Sequence, residues 1–287
     1  MGNPAETVIL LVHGAWHSAL HWAPAQRFLA RHGLAAVAVD LPGAGLDAPV
    51  PAGYLQAGQP GFTSEKSALH DVTMQDSTEV VLDALAGVRK RYRNVVLVAH
   101  SAGGSAVSAA AEQAPELVDQ LVYLSAFVPA GRPRFADYIA DKQNAGAVQV
   151  PPVADPAEIG AFRINPLSPD PAVTDVIRRA FLNDLPADSP ESWRRLLHPD
   201  HPYSSFTTPV AVSPERWGRL PRSYVRLTED LALPPATQDL MITEADQVTP
   251  DNPFRVFSLP GGHSPFVTRP SELATLFATI ALQDGAR

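Results

Sequence analysis

The chain has 287 residues, of which 45% are apolar and 18% are charged, and its formal net charge is −8. Such a chain can bury a substantial core, and its acidic balance offers no basic surface for nucleic acid or anionic membranes. The lack of cysteine excludes disulfide bonds, thiolate zinc sites and a cysteine nucleophile. No apolar run approaches the length that crosses a membrane, and the N-terminal "MGNPAETVILLVHG" has no signal-peptide pattern. We therefore expect a cytoplasmic monomer or homodimer without nucleic-acid or membrane partners.

Short apolar runs, typical of strands buried on both faces, alternate with helical patterns along the chain. Strands buried on both faces are predicted at 8–12, 35–39, 95–99 and 121–124, and two further strands are predicted at 223–227 and 255–259. Helices are predicted at about 24–31, 75–91, 101–113, 235–242 and 270–282. This alternation predicts an α/β fold, in which a mostly parallel sheet is flanked by helices.

Two regions interrupt the alternation. The first, 42–70, is rich in glycine and proline and is predicted to be a long loop. The second, 127–220, is too long for a structureless loop within a domain, and it has helical patterns near 173–182 and 190–197. We interpret 127–220 as a helical cap or lid inserted into a core made of 1–126 and 221–287. Its aromatic side chains argue against a disordered linker: Phe162, Phe181, Trp193 and Trp217.

The run "VVLVAHSAGG" joins a predicted strand directly to a predicted helix through Ser101. A serine on such a turn is the nucleophile elbow, usually written G-x-S-x-G, and here Ala99 replaces the first glycine. Strand and helix approach closely at this turn, so both flanking positions require small residues, and alanine meets that need nearly as well as glycine. Helix capping would explain the serine but not its small neighbours. We therefore predict that Ser101 is a nucleophile.

A nucleophilic serine requires a base, an orienting acid and donors for the oxyanion. The sequence "LLVHGAW" places His13 and Gly14 in a loop after the first strand, and this loop can aim a backbone N–H at the elbow. Gly14 permits a conformation that a side chain would block. The N–H of Ala102, at the start of the helix, is the predicted second donor, since free amides and the helix dipole favour negative charge there. We expect His13 to brace the loop rather than to react.

His263 is the candidate base, because "LPGGHSPF" lies between the last predicted strand and the last predicted helix. Two glycines before His263 let the loop fold over the sheet edge. His17 and His21 are four residues apart, as in a metal pair, but no carboxylate or third histidine is near them in sequence, and no metal is predicted. Surface placement is expected for three other histidines: His70, His198 and His201.

Two residues are candidates for the orienting acid, which should follow a strand between Ser101 and His263 in chain order. Asp230 in "YVRLTEDLALPP" directly follows a predicted strand. Asp246 in "MITEADQVTP" follows a helix-like segment and has the character of an N-cap or turn residue. Chain position favours Asp230, and both remain possible at this point.

The elements "VHGAWHSALHW", "VAVDLPGAGLD", "VLVAHSAGG", "PRSYVRLTEDLALPP" and "LPGGHSPFVTRP" together resemble the α/β-hydrolase superfamily. The chain is most similar there to plant methylesterases, hydroxynitrile lyases and their bacterial relatives, over about 8–280. This resemblance implies a catalytic triad of Ser101, Asp230 and His263, with Ala15 and Ala102 as the oxyanion donors. The family stretch T-x-D-x-x-x-(L/P)-P matches 228–235, which favours Asp230 over Asp246.

Two positions separate this chain from the lyases of that group. The lyases have a threonine at the position of Gly14 and a lysine at the position of Ser264, and those groups handle the cyanohydrin hydroxyl and the cyanide. Gly14 is expected to leave room for water beside an acyl-enzyme. The resemblance therefore implies a serine hydrolase that cleaves a small-molecule carboxylic ester without cofactor or metal. A cofactor-free lyase or lactonase on the same site, or a catalytically slow small-molecule receptor, remains the alternative.

Overall fold

A computed structural model of the chain describes residues 3–186 and 188–283. Its main sheet has six strands, all parallel to their neighbours, in the order β2-β1-β3-β4-β7-β8. The strands of the described residues are β1 (Thr7–Val12), β2 (Ala35–Val39), β3 (Asn94–His100), β4 (Gln120–Leu124), β5 (Ala161–Arg163), β6 (Asp200–Pro202), β7 (Arg222–Leu227) and β8 (Arg255–Leu259). All six strands predicted from apolar runs are present, and the predicted α/β class is confirmed.

The helices that flank the main sheet lie where the sequence predicts them, but several begin or end at different residues. The prediction for 101–113 merged a 3-10 turn, Ser101–Gly103, with the helix that follows it. The helix predicted at 235–242 continues for another turn and a half, because no glycine or proline interrupts it before 248. The helices outside the cap region are α1 (Ala23–Arg31), α2 (Met74–Arg89), α3 (Gly104–Gln113), α9 (Pro235–Val248), α10 (Pro265–Thr268) and α11 (Pro270–Gln283). Among the helices in the described part of the chain, none is long and apolar enough to cross a membrane.

The sheet separates two apolar layers, which explains why its inner strands β1, β3 and β4 are almost continuously apolar. The prediction that 35–39 is buried on both faces was wrong, because β2 lies at the edge of the sheet and is only partly buried. Val8, Leu10 and Val12 face one layer, while Ile9 and Leu11 face the other, as the two-residue period of a strand requires. Side chains of α2, α3 and α9 complete the first layer, and those of α1 and α11 complete the second. The sheet is therefore held rigidly, with the carboxyl ends of its parallel strands at one edge.

The region between β4 and β7 contains short helices and one antiparallel strand pair. The helices are α4 (Phe135–Ile139), α5 (Pro156–Ile159), α6 (Pro171–Phe181), α7 (Trp193–Leu196) and α8 (Ser204–Thr207). The two helical patterns found in the sequence correspond to α6 and α7. The pair β5 and β6 was missed, because three-residue strands next to prolines carry no readable period. Seven side chains of this region and its surroundings form an apolar cluster of their own. The division into core and cap at 127 and 220 stays a prediction.

A buried ion pair ties the cap region to the long loop 42–70. Arg163 on β5 donates from Nε and Nη2 to the two carboxylate oxygens of Asp200 on β6, at 2.7 Å each. Its Nη1 donates to the carbonyl oxygens of Phe62 and Glu65, at 2.7 and 2.9 Å. Every polar atom of this guanidinium is thus satisfied, which a buried charge requires. As predicted, residues 42–70 form a loop without helix or strand, and these bonds fix that loop against the cap region.

Candidate active site

Ser101 lies on a sharp turn between β3 and α3, as the elbow pattern predicts. Its φ is 51°, in the left-handed region that non-glycine residues rarely adopt. The two glycines after it are required by close backbone contacts. A Cβ on Gly103 would lie 2.4 Å from the carbonyl oxygen of His13, and one on Gly104 would lie 2.0 Å from that of Phe127. The small residues around Ser101 therefore let two other backbone segments approach the turn.

Asp230 and His263 meet at the carboxyl ends of β7 and β8. His263 donates from Nδ1 to Oδ2 of Asp230 at 2.6 Å, and Ser125 donates from its hydroxyl to the same oxygen at 2.7 Å. Oδ1 of Asp230 accepts from the amides of Ala232 and Leu233, each at 2.8 Å. Four donors thus satisfy this buried carboxylate and fix its orientation. A proton on Nδ1 of His263 leaves Nε2 as the basic nitrogen.

Asp246 does not belong to this arrangement. It lies inside α9, where its carboxylate accepts from the amide of Phe254 at 2.8 Å and fixes the entry to β8. The expectation of an N-cap or turn residue was wrong, because α9 is longer than its sequence pattern indicated. Of the two acid candidates, the structure brings only Asp230 to the imidazole of His263.

The loop 13–17 is fixed by two neutral histidines. His13 accepts from the amide of Leu41 at Nε2 and donates from Nδ1 to the carbonyl oxygen of Gly14, at 3.0 and 2.8 Å. The amide of His17 donates to the same oxygen at 3.3 Å. Because a trans peptide places its C=O and N–H on opposite sides, these bonds also fix the direction of the Ala15 N–H. His13 braces the loop, and its pKa is lowered to about 4, mainly by burial.

Gly14 lies directly against the elbow. A Cβ at this position would be 2.5 Å from Cβ of Ser101 and 2.9 Å from Nδ1 of His100. The expectation that Gly14 leaves room for water was therefore wrong, because Ser101 and His100 already fill that space. The glycine is needed so that the loop and the elbow can be in contact.

The amide of Ala102 lies in the first turn of the helical segment that starts at Ser101. The first N–H groups of a helix have no partner within it, and they carry the positive end of the helix dipole. The carbonyl oxygen of Ser101 accepts from the amide of Phe127 at 3.0 Å, which holds the elbow in place. The amides of Ala102 and Ala15 thus lie on two separate segments that meet at Ser101.

His100 and His17 hold the loops that carry His263 and Ala15, a role that the sequence analysis assigned to neither residue. His100 donates from Nε2 to the carbonyl oxygen of His263 at 2.9 Å and so holds the loop of the candidate base. His17 donates from Nδ1 to the carbonyl oxygen of Ala15 at 2.7 Å, and its Nε2 accepts from the Ser264 hydroxyl at 3.0 Å. Burial lowers the pKa of His17 and of His100 well below the usual value of 6.5. The sequence could have indicated a role for His100 through its position, since it immediately precedes Ser101.

Of the three histidines expected at the surface, His70 is exposed as predicted, whereas His198 and His201 are more buried than the sequence indicated. His201 on β6 is buried, with its ring centre 6.0 Å from that of Trp16, so the expected surface placement was wrong. His198 is only half-exposed, because its Nε2 accepts from the amide of Gly45. His21 packs against His17 with ring centres 4.6 Å apart. Within the described ranges, no cluster of three or more His, Cys, Asp or Glu side chains could hold a metal.

These buried neutral histidines predict a steep loss of stability in acid. The pKa values of His13, His21 and His201 are lowered by burial to about 4, 3 and 3, and those of His17 and His100 also lie well below 6.5. Below pH 6.5 the unfolded chain therefore binds more protons than the folded chain, and stability is lost as the pH falls. Each histidine then costs about 1.4 kcal/mol per pH unit, and five cost about 7 kcal/mol per pH unit.

We expect unfolding between about pH 5 and 6, because this loss matches the stability of an ordinary domain. Urea titrations from pH 7 to pH 5 measure it, and the slope gives about five protons taken up on unfolding. His201→Gln should reduce that uptake by one proton. A free energy of unfolding that stays constant down to pH 4.5 would contradict this expectation.

A cavity of about 370 Å³ opens above Ser101 and His263. Ala15, Trp16, Ala232 and Leu233 line it from the core side. Phe181 lines the cavity and also belongs to the cap's apolar cluster, whereas Trp193 belongs to that cluster and is not among the described lining residues. The main apolar walls from the cap region are Phe135, Ile139, Val148, Phe162, Phe181 and Phe206.

No free cation faces the cavity among the described lining residues. Arg163 is the cationic residue of that set, and its guanidinium is occupied by Asp200 and two carbonyl oxygens. Ser264 occupies the position after His263, and its hydroxyl donates to His17. Arg269 pairs with Asp184, from Nε to Oδ2 at 3.3 Å. The site thus offers neutral donors and apolar walls.

The parallel sheet, the strained serine after β3 and the Asp–His pair after β7 and β8 define the α/β-hydrolase architecture. The sequence model of the alpha/beta hydrolase family matches residues 9–276, and the chain belongs to this family.

Named relatives place the chain more closely within the family. It is 26% identical to a pyrethroid hydrolase of Sphingobium wenxiniae, over 96% of this chain and 88% of that protein. It is 25% identical to methylesterase 7 of Arabidopsis thaliana, over 98% of both chains. The crystal structure of a pyrethroid hydrolase from Sphingobium faniae JZ-2 matches with a TM-score of 0.73 and 25% identity, over 98% of this chain and 99% of that one. The chain is thus a carboxylic ester hydrolase related to the plant methylesterases, as the sequence resemblance implies.

Proposed function

We propose that this chain hydrolyses neutral esters with bulky apolar groups through a Ser101–His263–Asp230 triad and an acyl-enzyme. The observation that carries the proposal is the 2.6 Å bond from His263 to Asp230 beside a cavity that both His263 and Ser101 line. Hydrolase and methylesterase relatives support ester cleavage as the reaction class.

In the acylation step, Nε2 of His263 takes the Ser101 proton while Oγ attacks the ester carbonyl carbon. The carbonyl electron pair moves to oxygen, and the amides of Ala15 and Ala102 stabilise the charge that develops there. Asp230 remains ionised, holds the Nδ1 proton and stabilises the imidazolium. When the tetrahedral intermediate collapses, the alcohol leaves with the proton from His263.

In the deacylation step, His263 removes a proton from water, and the resulting hydroxide attacks the acyl carbon. The same two amides stabilise the second oxyanion. The C–O bond to Ser101 breaks, Oγ regains its proton from His263 and the carboxylic acid leaves. Water reaches the acyl-enzyme through the cavity, since the space beside Gly14 is already filled.

The cavity walls support an uncharged apolar substrate. Aromatic and aliphatic side chains of the cap region dominate the lining, and the one lining guanidinium is paired with Asp200. A substrate carboxylate would be buried there without a partner, at a cost of several kcal/mol. The pyrethroid hydrolase relatives support bulky esters in particular, and the methylesterase relatives support a small alcohol group.

Cyanohydrin cleavage is disfavoured by the same electrostatics. Departing cyanide needs a nearby positive charge, and Ser264 supplies only a hydroxyl that is already bonded to His17. Arg269 pairs with Asp184 and is not directed at the cavity lining. A threonine at position 14 would also collide with Ser101 and His100.

A series of p-nitrophenyl esters with acyl chains of two to ten carbons tests the substrate proposal. Each buried CH₂ contributes about 0.8 kcal/mol, so kcat/KM should rise about fourfold per carbon until the cavity is filled. A matched ester whose acyl chain ends in a carboxylate should be at least about 100-fold poorer. Mandelonitrile should release no cyanide above the buffer rate. Equal rates for acetate and longer esters, or preference for the charged ester, would contradict the substrate class.

A further inference from the structure

Trp16 follows Ala15 directly and has an unusual backbone conformation. Its φ is 60°, in the left-handed region, which a tryptophan adopts only where surrounding contacts hold it. The core side of its loop is held by the imidazoles of His13 and His17, which bind the carbonyl oxygens of Gly14 and Ala15. Trp16 itself is held from the opposite side.

Several segments of the cap region converge on Trp16. Its indole N–H donates to the carbonyl oxygen of Phe162 on β5 at 2.9 Å, and its own carbonyl oxygen accepts from the amide of His198 at 2.9 Å. Its ring packs against Phe181 of α6 and Phe206 of α8, with centroids 5.4 and 6.2 Å apart. The residue next to the Ala15 amide is thus bonded through both its side chain and its backbone to the region between β4 and β7.

We propose that Trp16 is a positioning residue that couples the seating of the cap region to the geometry of the oxyanion site. Trp16 shares a peptide with Ala15, so a change in its strained φ would turn that peptide, loosen the bond from His17 to the Ala15 carbonyl oxygen and shift the backbone that carries the Ala15 N–H relative to Ser101. The bonds to the Gly14 and Ala15 carbonyl oxygens hold the loop from the core side, and the cap contacts complete its fixation by preventing that change at Trp16. This inference rests on the proposed role of the Ala15 amide in ester hydrolysis.

Trp16 also lines the cavity, and a wall residue and a positioning residue affect different kinetic parameters. Loss of a wall weakens substrate binding and raises KM for bulky esters. Misalignment of an oxyanion donor weakens binding of the transition state alone, which lowers kcat with little change in KM. An ester with a short acyl group separates the two effects, because it makes little use of the apolar walls.

Trp16→Phe retains an aromatic ring and removes the N–H that binds Phe162. With p-nitrophenyl acetate we expect kcat to fall about 10- to 100-fold while KM stays within about twofold, as a donor displaced by a fraction of an ångström predicts. A trifluoromethyl ketone, which Ser101 converts to a tetrahedral oxyanion adduct, should bind more weakly by the same factor. An unchanged kcat with acetate, together with a raised KM for longer esters, would reduce Trp16 to a wall residue and overturn the proposal.

Trp217→Phe is the matched control, because Trp217 is a buried tryptophan whose indole N–H donates to Tyr123 at 2.8 Å, away from the cavity lining. It should lower thermal stability as Trp16→Phe does while leaving kcat and the ketone affinity unchanged. An equal loss of kcat in both variants would mean that general loosening, and not the oxyanion loop, is responsible.

A second pair of variants tests the backbone contact if Trp16→Phe fails to fold. His198→Pro removes the N–H that binds the Trp16 carbonyl oxygen, and His198→Ala retains it. We expect a kcat for acetate at least about fivefold lower in the proline variant than in the alanine variant, and equal values would refute the coupling. Ser101→Ala in the same assay tests the proposed function by itself, since residual turnover there would refute the triad whatever the Trp16 variants do.

Discussion

Ser101→Ala should abolish ester turnover, with kcat reduced on the order of 10⁶-fold, as removal of a serine nucleophile does in serine proteases. Ser101 has the strained φ of an elbow and lies at the floor of the cavity beside His263, and alanine leaves no oxygen to attack the carbonyl carbon. Alanine fits the site without strain beyond that already present, so the fold should persist. Stopped-flow and steady-state assays with p-nitrophenyl esters measure the loss, and the wild-type burst of p-nitrophenol should disappear with it.

Fluorophosphonate labelling gives an independent readout of the same residue. In the wild type the Oγ–P bond forms, fluoride leaves, and mass spectrometry should locate one adduct on Ser101. Ser105→Ala is the matched control, since Ser105 lies four residues after Ser101, in the first turn of α3, and donates to the carbonyl oxygen of Ser205 outside the cavity lining. That variant should be labelled at the wild-type rate. Labelling or turnover that persists in Ser101→Ala would remove Ser101 from the mechanism.

Elements with a strong local signal could be predicted from the sequence. The inner strands β1, β3 and β4 are buried on both faces, so their apolar runs are nearly continuous, and the shorter apolar signals of β2, β7 and β8 were still sufficient for all six strands to be found. The elbow could be predicted because Gly103 and Gly104 are needed where two backbones touch the turn. Asp230 and His263 could be predicted because the carboxyl ends of parallel strands lie at one edge, which places residues that follow β7 and β8 together.

Features that depend on tertiary contacts could not be predicted. Ser125 donates to Asp230 from a position 105 residues earlier, and nothing near it in sequence indicates that bond. The buried pair of Arg163 and Asp200 joins two strands of three residues each, which are too short to show a period. His201 was expected at the surface because polar, proline-rich sequence is usually exposed, yet the fold packs it beside Trp16.

Asp230→Asn should lower kcat on the order of 10⁴-fold while KM changes little, by analogy with the corresponding change in serine proteases. Oδ1 of Asp230 accepts two amide N–H bonds, so the asparagine oxygen will occupy that position and its NH₂ will face His263 and Ser125. An NH₂ group cannot accept the Nδ1 proton of His263. The imidazole is then driven to carry its proton on Nε2, where the base needs a lone pair.

Asp246→Asn is the matched control for this substitution. The asparagine oxygen can still accept from the amide of Phe254, so activity should stay within about twofold of wild type. Ser125→Ala leaves the carboxylate with three of its four donors and should reduce kcat far less than Asp230→Asn does. If Asp246→Asn cost more activity than Asp230→Asn, the acid would have to be reassigned. The 2.6 Å bond to His263 predicts the opposite order, because only Asp230 can select the tautomer that makes His263 a base toward Ser101.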